Sequence, residues 1–424
     1  MIKNVSKNIG GLKGEITIPA DKSISHRTIM FSSLAKGKTI INNFSSGQDP
    51  KTTLKLFQNL GIDIKYLSDS SIEVISDGKI YPSNKILDCG NSGTTMRLVS
   101  GILSGQSFSS ELIGDSSLSK RPMKRIIEPL TQMGAEISSV NGCAPLKIVG
   151  QKLSAIDYIS PIASAQVKSC ILLAGLFADG ATTVTEPNVS RNHTELLLKY
   201  MGADISVNNN SVTIKQSKLK PQDIYVCGDI SSAAYFIAAA LIVPNSDVII
   251  KNIGLNPTRT GIIDVVKAMG GSIEILDKKE CSGEIIGDIR IKYSQLNGCE
   301  ISGEMIPRLI DELPVIAVLA TQANGTTVIK DAQDLRNKES DRIKSTVSEL
   351  KKLGADIEET PDGFVVNGKT KLYGDINLES YQDHRLAMSL YVAGLICEKD
   401  ISINDFEWTN ISFPEFEELF VKIS

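Results

Sequence analysis

The most constraining feature of the chain is that it repeats. A helix-like apolar stretch runs into Leu-Gly or Met-Gly and then a short alternating segment at Leu60-Gly61-Ile62-Asp63-Ile64, Met133-Gly134-Ala135-Glu136-Ile137 and Met201-Gly202-Ala203-Asp204-Ile205, and again at Met269-Gly270-Gly271-Ser272-Ile273 and Leu353-Gly354-Ala355-Asp356-Ile357. Glycine tolerates the left-handed conformation that ends a helix, and period-2 alternation marks a strand, so each copy predicts helix, turn and strand. A second pattern interleaves with it, in which another apolar helix ends at a turn and a Thr/Val/Ile strand follows. Its turns are Lys36-Gly37, Ser104-Gly105, Asp179-Gly180, Pro244-Asn245, Asn324-Gly325 and Glu398-Lys399. Six turns spaced by 65 to 80 residues divide the 424 residues into units of about 71.

Six units of two helices and several strands exceed what one core organises, which predicts an α/β protein of two domains with three units each. The sixth unit has no Met-Gly-Ala strand, and Gly14-Glu15-Ile16-Thr17-Ile18 near the amino end has no unit. The expectation is that this first strand completes the last copy, so that both chain ends belong to one domain. The division is then residues 1–20 with 229–424, and an inserted domain over 21–228, with crossovers near Pro19 to Asp21 and Val226 to Asp229.

Lys and Arg number 45 against 49 Asp and Glu, a formal charge of −4, so no general basic field invites nucleic acid. The seven cysteines are odd in number and never at C-x-x-C spacing, which suits a reducing compartment and disfavours zinc. The longest greasy stretch, Ala233 to Val243, is far short of the ~20 residues that span a bilayer, and Met1 to Gly10 carries no apolar signal segment. The expectation is a cytoplasmic protein with no membrane partner.

Counting back from each turn, a polar locus opens each helix: Lys22, Asn91, Ser164, Ser231, Asp311 and His384. The first helical turn carries unsatisfied N–H groups and partial positive charge, so polar residues there are caps or an anion site. Ser231-Ser232 alone reads as a cap. Asp21-Lys22-Ser23-Ile24-Ser25-His26-Arg27 is different, because cations at that end are repelled by the macrodipole, and a bound polyanion is the simplest compensation. Gly90-Asn91-Ser92-Gly93-Thr94-Thr95-Met96-Arg97 follows the same logic, with Gly93 permitting close backbone approach.

A second series recurs with the repeat: Ser119-Lys120-Arg121-Pro122, Ser190-Arg191-Asn192-His193-Thr194-Glu195, Pro257-Thr258-Arg259-Thr260 and Lys338-Glu339-Ser340-Asp341-Arg342. Arginine offers a planar fork to phosphate or carboxylate and lysine a compact charge. The last stretch read alone could be a solvated helix face. A phosphate-loop motif, a dinucleotide fingerprint, a nucleophile elbow and a zincin motif are all absent. What survives is a metal-free site that gathers cations around more than one anionic group.

At these residues the chain resembles the 5-enolpyruvylshikimate-3-phosphate (EPSP) synthase family, and in Ser164-Ala165-Gln166-Val167-Lys168 and Arg191-Asn192-His193-Thr194-Glu195 its bacterial second branch. Gly228-Asp229-Ile230-Ser231-Ser232-Ala233 and Asp383-His384-Arg385 complete the set of matching motifs. The resemblance implies a two-domain inside-out α/β barrel of six βαβαββ-type units, with a cleft that closes on substrate. It implies transfer of enolpyruvyl from phosphoenolpyruvate to the 5-hydroxyl of shikimate 3-phosphate by addition and elimination. It implies no cofactor, no metal, and a monomer whose partners are those two small molecules.

By motif position the resemblance assigns Lys22, Ser23, Arg27, Ser164, Ala165, Gln166, Ser190, Asp311 and Lys338 to shikimate 3-phosphate. It assigns Lys22, Asn91, Gly93, Thr94, Arg97, Arg121, Gln166, Arg342 and Arg385 to phosphoenolpyruvate. The catalytic set is Lys22, Asp311, Glu339 and His384, with Asp311 as base toward the 5-hydroxyl, Glu339 exchanging the methyl proton and Lys22 helping phosphate leave. Two positions depart from the better-known branch: Asn410-Ile411-Ser412-Phe413-Pro414 lacks a lysine before the S/T-F-P segment, and Asp334 stands where that branch has an amide. The rival enolpyruvyl transferase acting on UDP-N-acetylglucosamine normally supplies a loop cysteine, and none lies between Cys89 and Cys143. A non-catalytic phosphometabolite-binding protein would have lost Asp311 and Glu339, and both are present.

Overall fold

A computed structural model describes residues 1–424. Twelve helices of eight residues or more alternate between two kinds. They are α1 (Lys22–Leu34), α2 (Gln48–Asn59), α3 (Gly93–Ser104), α4 (Lys124–Gln132), α5 (Ala165–Gly175), α6 (His193–Tyr200), α7 (Ile230–Ile242), α8 (Gly261–Ala268), α9 (Leu313–Thr321), α10 (Arg342–Lys352), α11 (His384–Gly394) and α12 (Phe416–Ile423). The odd-numbered helices are buried on nearly every side, and in α7 and α9 every residue is buried. Sequences such as Ile-Ser-Ser-Ala-Ala-Tyr-Phe-Ile-Ala-Ala-Ala-Leu-Ile are apolar all round, which only a helix at the centre of a fold can tolerate. Their hydroxyls do not object, because Ser33, Ser100 and Ser389 each donate to the carbonyl four residues back. The even-numbered helices expose one face.

Small residues set how closely the inner helices pack. A Cβ on Gly101 would lie 2.1 Å from the Cys170 carbonyl oxygen, so only glycine allows α3 and α5 their approach. The predicted helix stops hold, with Gly61, Gly134, Gly202, Gly270 and Gly354 all at positive φ.

The strands form six separate sheets, one for each unit, and do not close into a single barrel. Five have one plan. An edge strand pairs parallel with the strand that follows the inner helix, and an antiparallel hairpin after the outer helix completes the sheet. In the second unit Leu87–Asp88, Ser109–Ile113, Cys143–Val149 and Glu136–Val140 stand in that order. The arrangement of buried helices with sheets around them is the expected inside-out architecture.

The place of the amino end differs from expectation. Lys13–Thr17 pairs parallel with Asp247–Gly254 in the fourth unit's sheet, whereas Lys3–Val5 pairs antiparallel with Ile401–Asn404 and completes the sixth. The strand before α7, Ile224–Tyr225, in turn pairs parallel with Lys36–Asn42 in the first unit's sheet. Each crossover strand thus joins a different sheet from the one its following helix leads into. Ile224–Tyr225 and Lys3–Val5 span two or three residues, too few to show a period in sequence.

The chain divides into two compact units. One comprises Met1–Pro19, Cys227–Lys279 and Ile285–Ser424, the other Ala20–Val226 with Glu280–Glu284. That last segment lies within the 229–424 span but packs in the unit of residues 20–226, where the Glu284 carboxylate meets His193 Nδ1 at 2.5 Å and Ser282 Oγ accepts from the Tyr225 N–H. No helix is long and apolar enough to cross a membrane, and none of the seven cysteines forms a disulfide.

Candidate active site

In the unit of residues 20–226 the polar loci stand at the openings of α1, α3 and α5. Asp21 caps α1 by accepting from the Ile24 N–H at 2.8 Å. Lys22, the first helical residue, is held by Asp49 in the first turn of α2, at 3.0 Å. Arg27 is 3% exposed, and its guanidinium donates to Thr194 Oγ1, Ser169 Oγ and the Ser23 carbonyl at 2.7, 2.8 and 2.9 Å. Burial, aided by Lys22 and Arg27, holds the His26 imidazole well below its ordinary range. Its Nδ1 lies 2.6 Å from Thr53 Oγ1.

Ser92 caps α3 by accepting from the Thr95 N–H. Ahead of it, the Asn91 amide oxygen accepts from Arg121 at 2.9 Å. Arg97 donates to the Gln166 amide oxygen, and Gln166 donates in turn to Thr94 Oγ1 at 3.0 Å. Gly93 lies beside both arginines, because a Cβ there would be 3.4 Å from Arg97 Nη1 and 3.6 Å from Arg121 Nη1. With no side chain at Gly93, the helix opening comes close to two guanidinium groups, the kind of donors that a phosphate or carboxylate would use. At α5 the cap is Ser164, which accepts from the Val167 N–H. Ala165 and Gln166 follow on the first turn, half-buried.

In the other unit a buried charge network is centred on Arg342. Asp383, fully buried, caps α11 and accepts from Arg342 Nε at 2.7 Å and from the Ser340 hydroxyl at 3.0 Å. Arg342, the first residue of α10, reaches Glu339 with Nη2 at 2.6 Å and Asp311 with Nη1 at 3.2 Å. Burial opposes the Arg342 charge, but Asp383, Glu339 and Asp311 outweigh it and hold the guanidinium above its ordinary value. Burial likewise works to raise the Asp383 carboxyl, and Arg342 draws it below the usual carboxylate range. Arg385 donates to the Asp311 carbonyl at 3.4 Å and lies 3.7 Å from the Glu312 carboxylate. His384, the first residue of α11, is 2% exposed.

The predicted residues therefore fall into sets. One gathers Asn91, Gly93, Thr94, Arg97, Arg121 and Gln166, and another gathers Asp311, Glu339, Arg342 and Arg385. Lys338 pairs instead with Asp334 at 3.3 Å, so the acid at the departing position serves that lysine. The cations at the helix openings also have carboxylate partners within the chain. Asp49 compensates Lys22, Asp229 compensates Arg259 at 2.9 Å, and three carboxylates compensate Arg342. Sequence reading missed Asp49 and Glu186 and gave Asp383 no role. A signal was present, since the opening of an inner helix and that of the next outer helix pair at a separation of 30 residues in Asn91 with Arg121 and in Asp229 with Arg259, and of 31 in Asp311 with Arg342.

Comparison with known proteins decides the family. Residues 6–420 match the family model described as EPSP synthase (3-phosphoshikimate 1-carboxyvinyltransferase). The chain belongs to the EPSP synthase family. It is accordingly an enzyme, an enolpyruvyl transferase of the shikimate pathway. It is 52% identical to the 3-phosphoshikimate 1-carboxyvinyltransferase of Petrotoga mobilis over 97% of both chains, and 51% identical to that of Bacillus licheniformis over 98% of both. The solved EPSP synthase of Acinetobacter baumannii superposes with a TM-score of 0.90 at 42% identity, covering 99% of this chain and 98% of that one. A match of that extent carries the whole EPSP synthase architecture, not one unit of it.

Proposed function

We propose that the enzyme joins shikimate 3-phosphate and phosphoenolpyruvate to give 5-enolpyruvylshikimate 3-phosphate and inorganic phosphate. The 5-hydroxyl oxygen attacks the second carbon of phosphoenolpyruvate while its proton passes to a base and the methylene carbon takes a proton from an acid. The tetrahedral intermediate then loses a methyl proton and expels phosphate. This chemistry needs an acid, a base and stabilisation of the leaving anion.

The observation that carries the reading is that Asp311 and Glu339 share the Arg342 guanidinium. Two carboxylates on one buried cation are fixed in position and can serve as base and as proton exchanger. We assign Asp311 to the hydroxyl proton and Glu339 to the methyl proton, with Lys22 stabilising the departing phosphate and His384 in the catalytic set. Ser23, Arg27, Ser164, Ala165, Gln166, Ser190, Asp311 and Lys338 are assigned to shikimate 3-phosphate, with Lys22. Asn91, Gly93, Thr94, Arg97, Arg121, Gln166, Arg342 and Arg385 are assigned to phosphoenolpyruvate, again with Lys22. The closeness of the Gly93 backbone to the Arg97 and Arg121 guanidinium groups supports the second set.

The enzyme is read as a monomer and placed in the cytoplasm, and seven cysteines that form no disulfide agree with that compartment. A coupled phosphate-release assay tests the reaction. Phosphate should appear only with both compounds present; release from phosphoenolpyruvate alone, or with UDP-N-acetylglucosamine in place of shikimate 3-phosphate, would overturn the reading.

A further inference from the structure

Glu186 follows the strand Ala181–Thr185 and is 2% exposed. Its Oε1 accepts the Ser164 N–H at 2.9 Å. Its Oε2 accepts the Ser190 hydroxyl at 2.8 Å and the Ser190 N–H at 3.3 Å, and lies 2.8 Å from the Lys168 ammonium. One carboxylate thus receives donors from the cap of α5, from the loop before α6 and from one turn inside α5. Lys168, also 2% exposed, bonds a second carboxylate, Glu195 in the first turn of α6, at 2.8 Å.

A buried lysine needs one carboxylate for neutrality, and Glu195 supplies it. Glu186 is surplus to that pairing. It brings a second negative charge among donors to which the proposed function assigns an anionic substrate. What Glu186 does that Glu195 does not is tie Ser164 to Ser190, one through each oxygen.

We propose that Glu186 is the positioning residue of the shikimate 3-phosphate half of the site. It fixes the opening of α5 against the Ser190 loop, and Lys168 holds it there. The inference rests on the assignment of Ser164 and Ser190 to that substrate. On binding, the Ser190 hydroxyl turns its single hydrogen from Glu186 to the phosphate, while the Ser190 N–H keeps Glu186 in place.

The test is Glu186→Gln. The glutamine oxygen is drawn to Lys168, so its NH2 confronts the Ser164 N–H, and two donors face each other. The affinity for shikimate 3-phosphate alone, measured by calorimetry, should fall roughly 10- to 100-fold, with the same rise in its KM, while KM for phosphoenolpyruvate and kcat stay within a few-fold. Glu186→Asp, which keeps the charge and shortens the reach, should give a smaller rise in the same constant. Glu195→Gln takes the other carboxylate from Lys168 without touching either serine, and should lower the unfolding temperature with shikimate 3-phosphate affinity unchanged. Equal loss of both substrates in the Glu186 variants, or unchanged shikimate 3-phosphate affinity in them, would overturn the positioning role. Wild-type protein that releases no phosphate with both substrates would instead overturn the functional reading beneath it.

Discussion

Arg342 holds Glu339, three residues back along the chain, in a hydrogen bond of 2.6 Å. The other terminal nitrogen of the same guanidinium reaches Asp311 at 3.2 Å, so one rigid fork sets where both carboxylates proposed for proton transfer stand. The fork is itself immobilised by Asp383, which caps α11.

Replacing Glu339 by Gln tests the proton-exchange role most directly. An amide oxygen can still accept from Arg342, so position is preserved while the exchangeable carboxyl proton is lost. Turnover should fall by roughly 10²- to 10⁴-fold with KM for either substrate little changed. Steady-state phosphate release at saturating substrate measures this, and unaltered kcat would reject the assignment.

Gly93→Ala adds a methyl 3.4 Å from Arg97 Nη1 and 3.6 Å from Arg121 Nη1. Nothing clashes, so the protein should fold normally, but an anion seated against both arginines would meet the methyl. KM for phosphoenolpyruvate should rise by about tenfold, a cost of overpacking near 1.4 kcal/mol, and affinity for shikimate 3-phosphate should hold. Equal changes in both constants would place Gly93 outside the phosphoenolpyruvate pocket.

Asp383→Ala removes a helix cap and a buried partner of Arg342 together. Asp311 and Glu339 still balance the Arg342 charge, but its buried Nε loses its acceptor, so stability should drop by about 1–3 kcal/mol. Asp49→Ala breaks the more accessible Lys22 pair and should cost less. Urea unfolding of both variants at matched slope decides the order, and the reverse ranking would mean that Asp311 and Glu339 alone satisfy Arg342.

His26 predicts an acid weakness. Its folded-state value lies below the ordinary 6.5, chiefly through burial and then through Lys22 and Arg27, with Asp21 opposing. Between those two values the unfolded chain binds a proton that the folded chain refuses. Stability should therefore fall as pH drops below 6.5, by up to about 1.4 kcal/mol per pH unit for this one group. His26→Gln, whose amide can hydrogen-bond Thr53 in either sense, should flatten that part of the profile in urea unfolding at a series of pH values. A slope unaffected by the substitution would show that other groups set it.

Much of this was legible in the sequence because periodicity and glycine have few physical meanings. Gly61, Gly134, Gly202, Gly270 and Gly354 each marked a helix end, and the strands beginning at Asp63, Glu136, Ile205, Ser272 and Ile357 followed. The cationic loci were legible for a similar reason, since lysine or arginine at a helix opening costs energy and calls for compensation. What supplied that compensation was not legible. Asp49 and Asp383 belong to other helix openings 27 and 41 residues away, and nothing local distinguishes them from surface acids. Glu186 was missed because a single carboxylate after a strand has no pattern at all. The sheet joined by Lys13–Thr17 depended on a parallel partner more than two hundred residues distant, a choice decided by tertiary packing.

The exchange of crossover strands bears on how the polypeptide matures. Lys3–Val5 and Lys13–Thr17 leave the ribosome well before their neighbours, Ile401–Asn404 and Asp247–Gly254. Residues 20–226 contain every strand of their own three sheets and can settle while translation is still under way. A nascent chain stalled before residue 401 would therefore carry a finished half together with an amino-terminal ribbon still in search of its neighbour, a natural handhold for a chaperone.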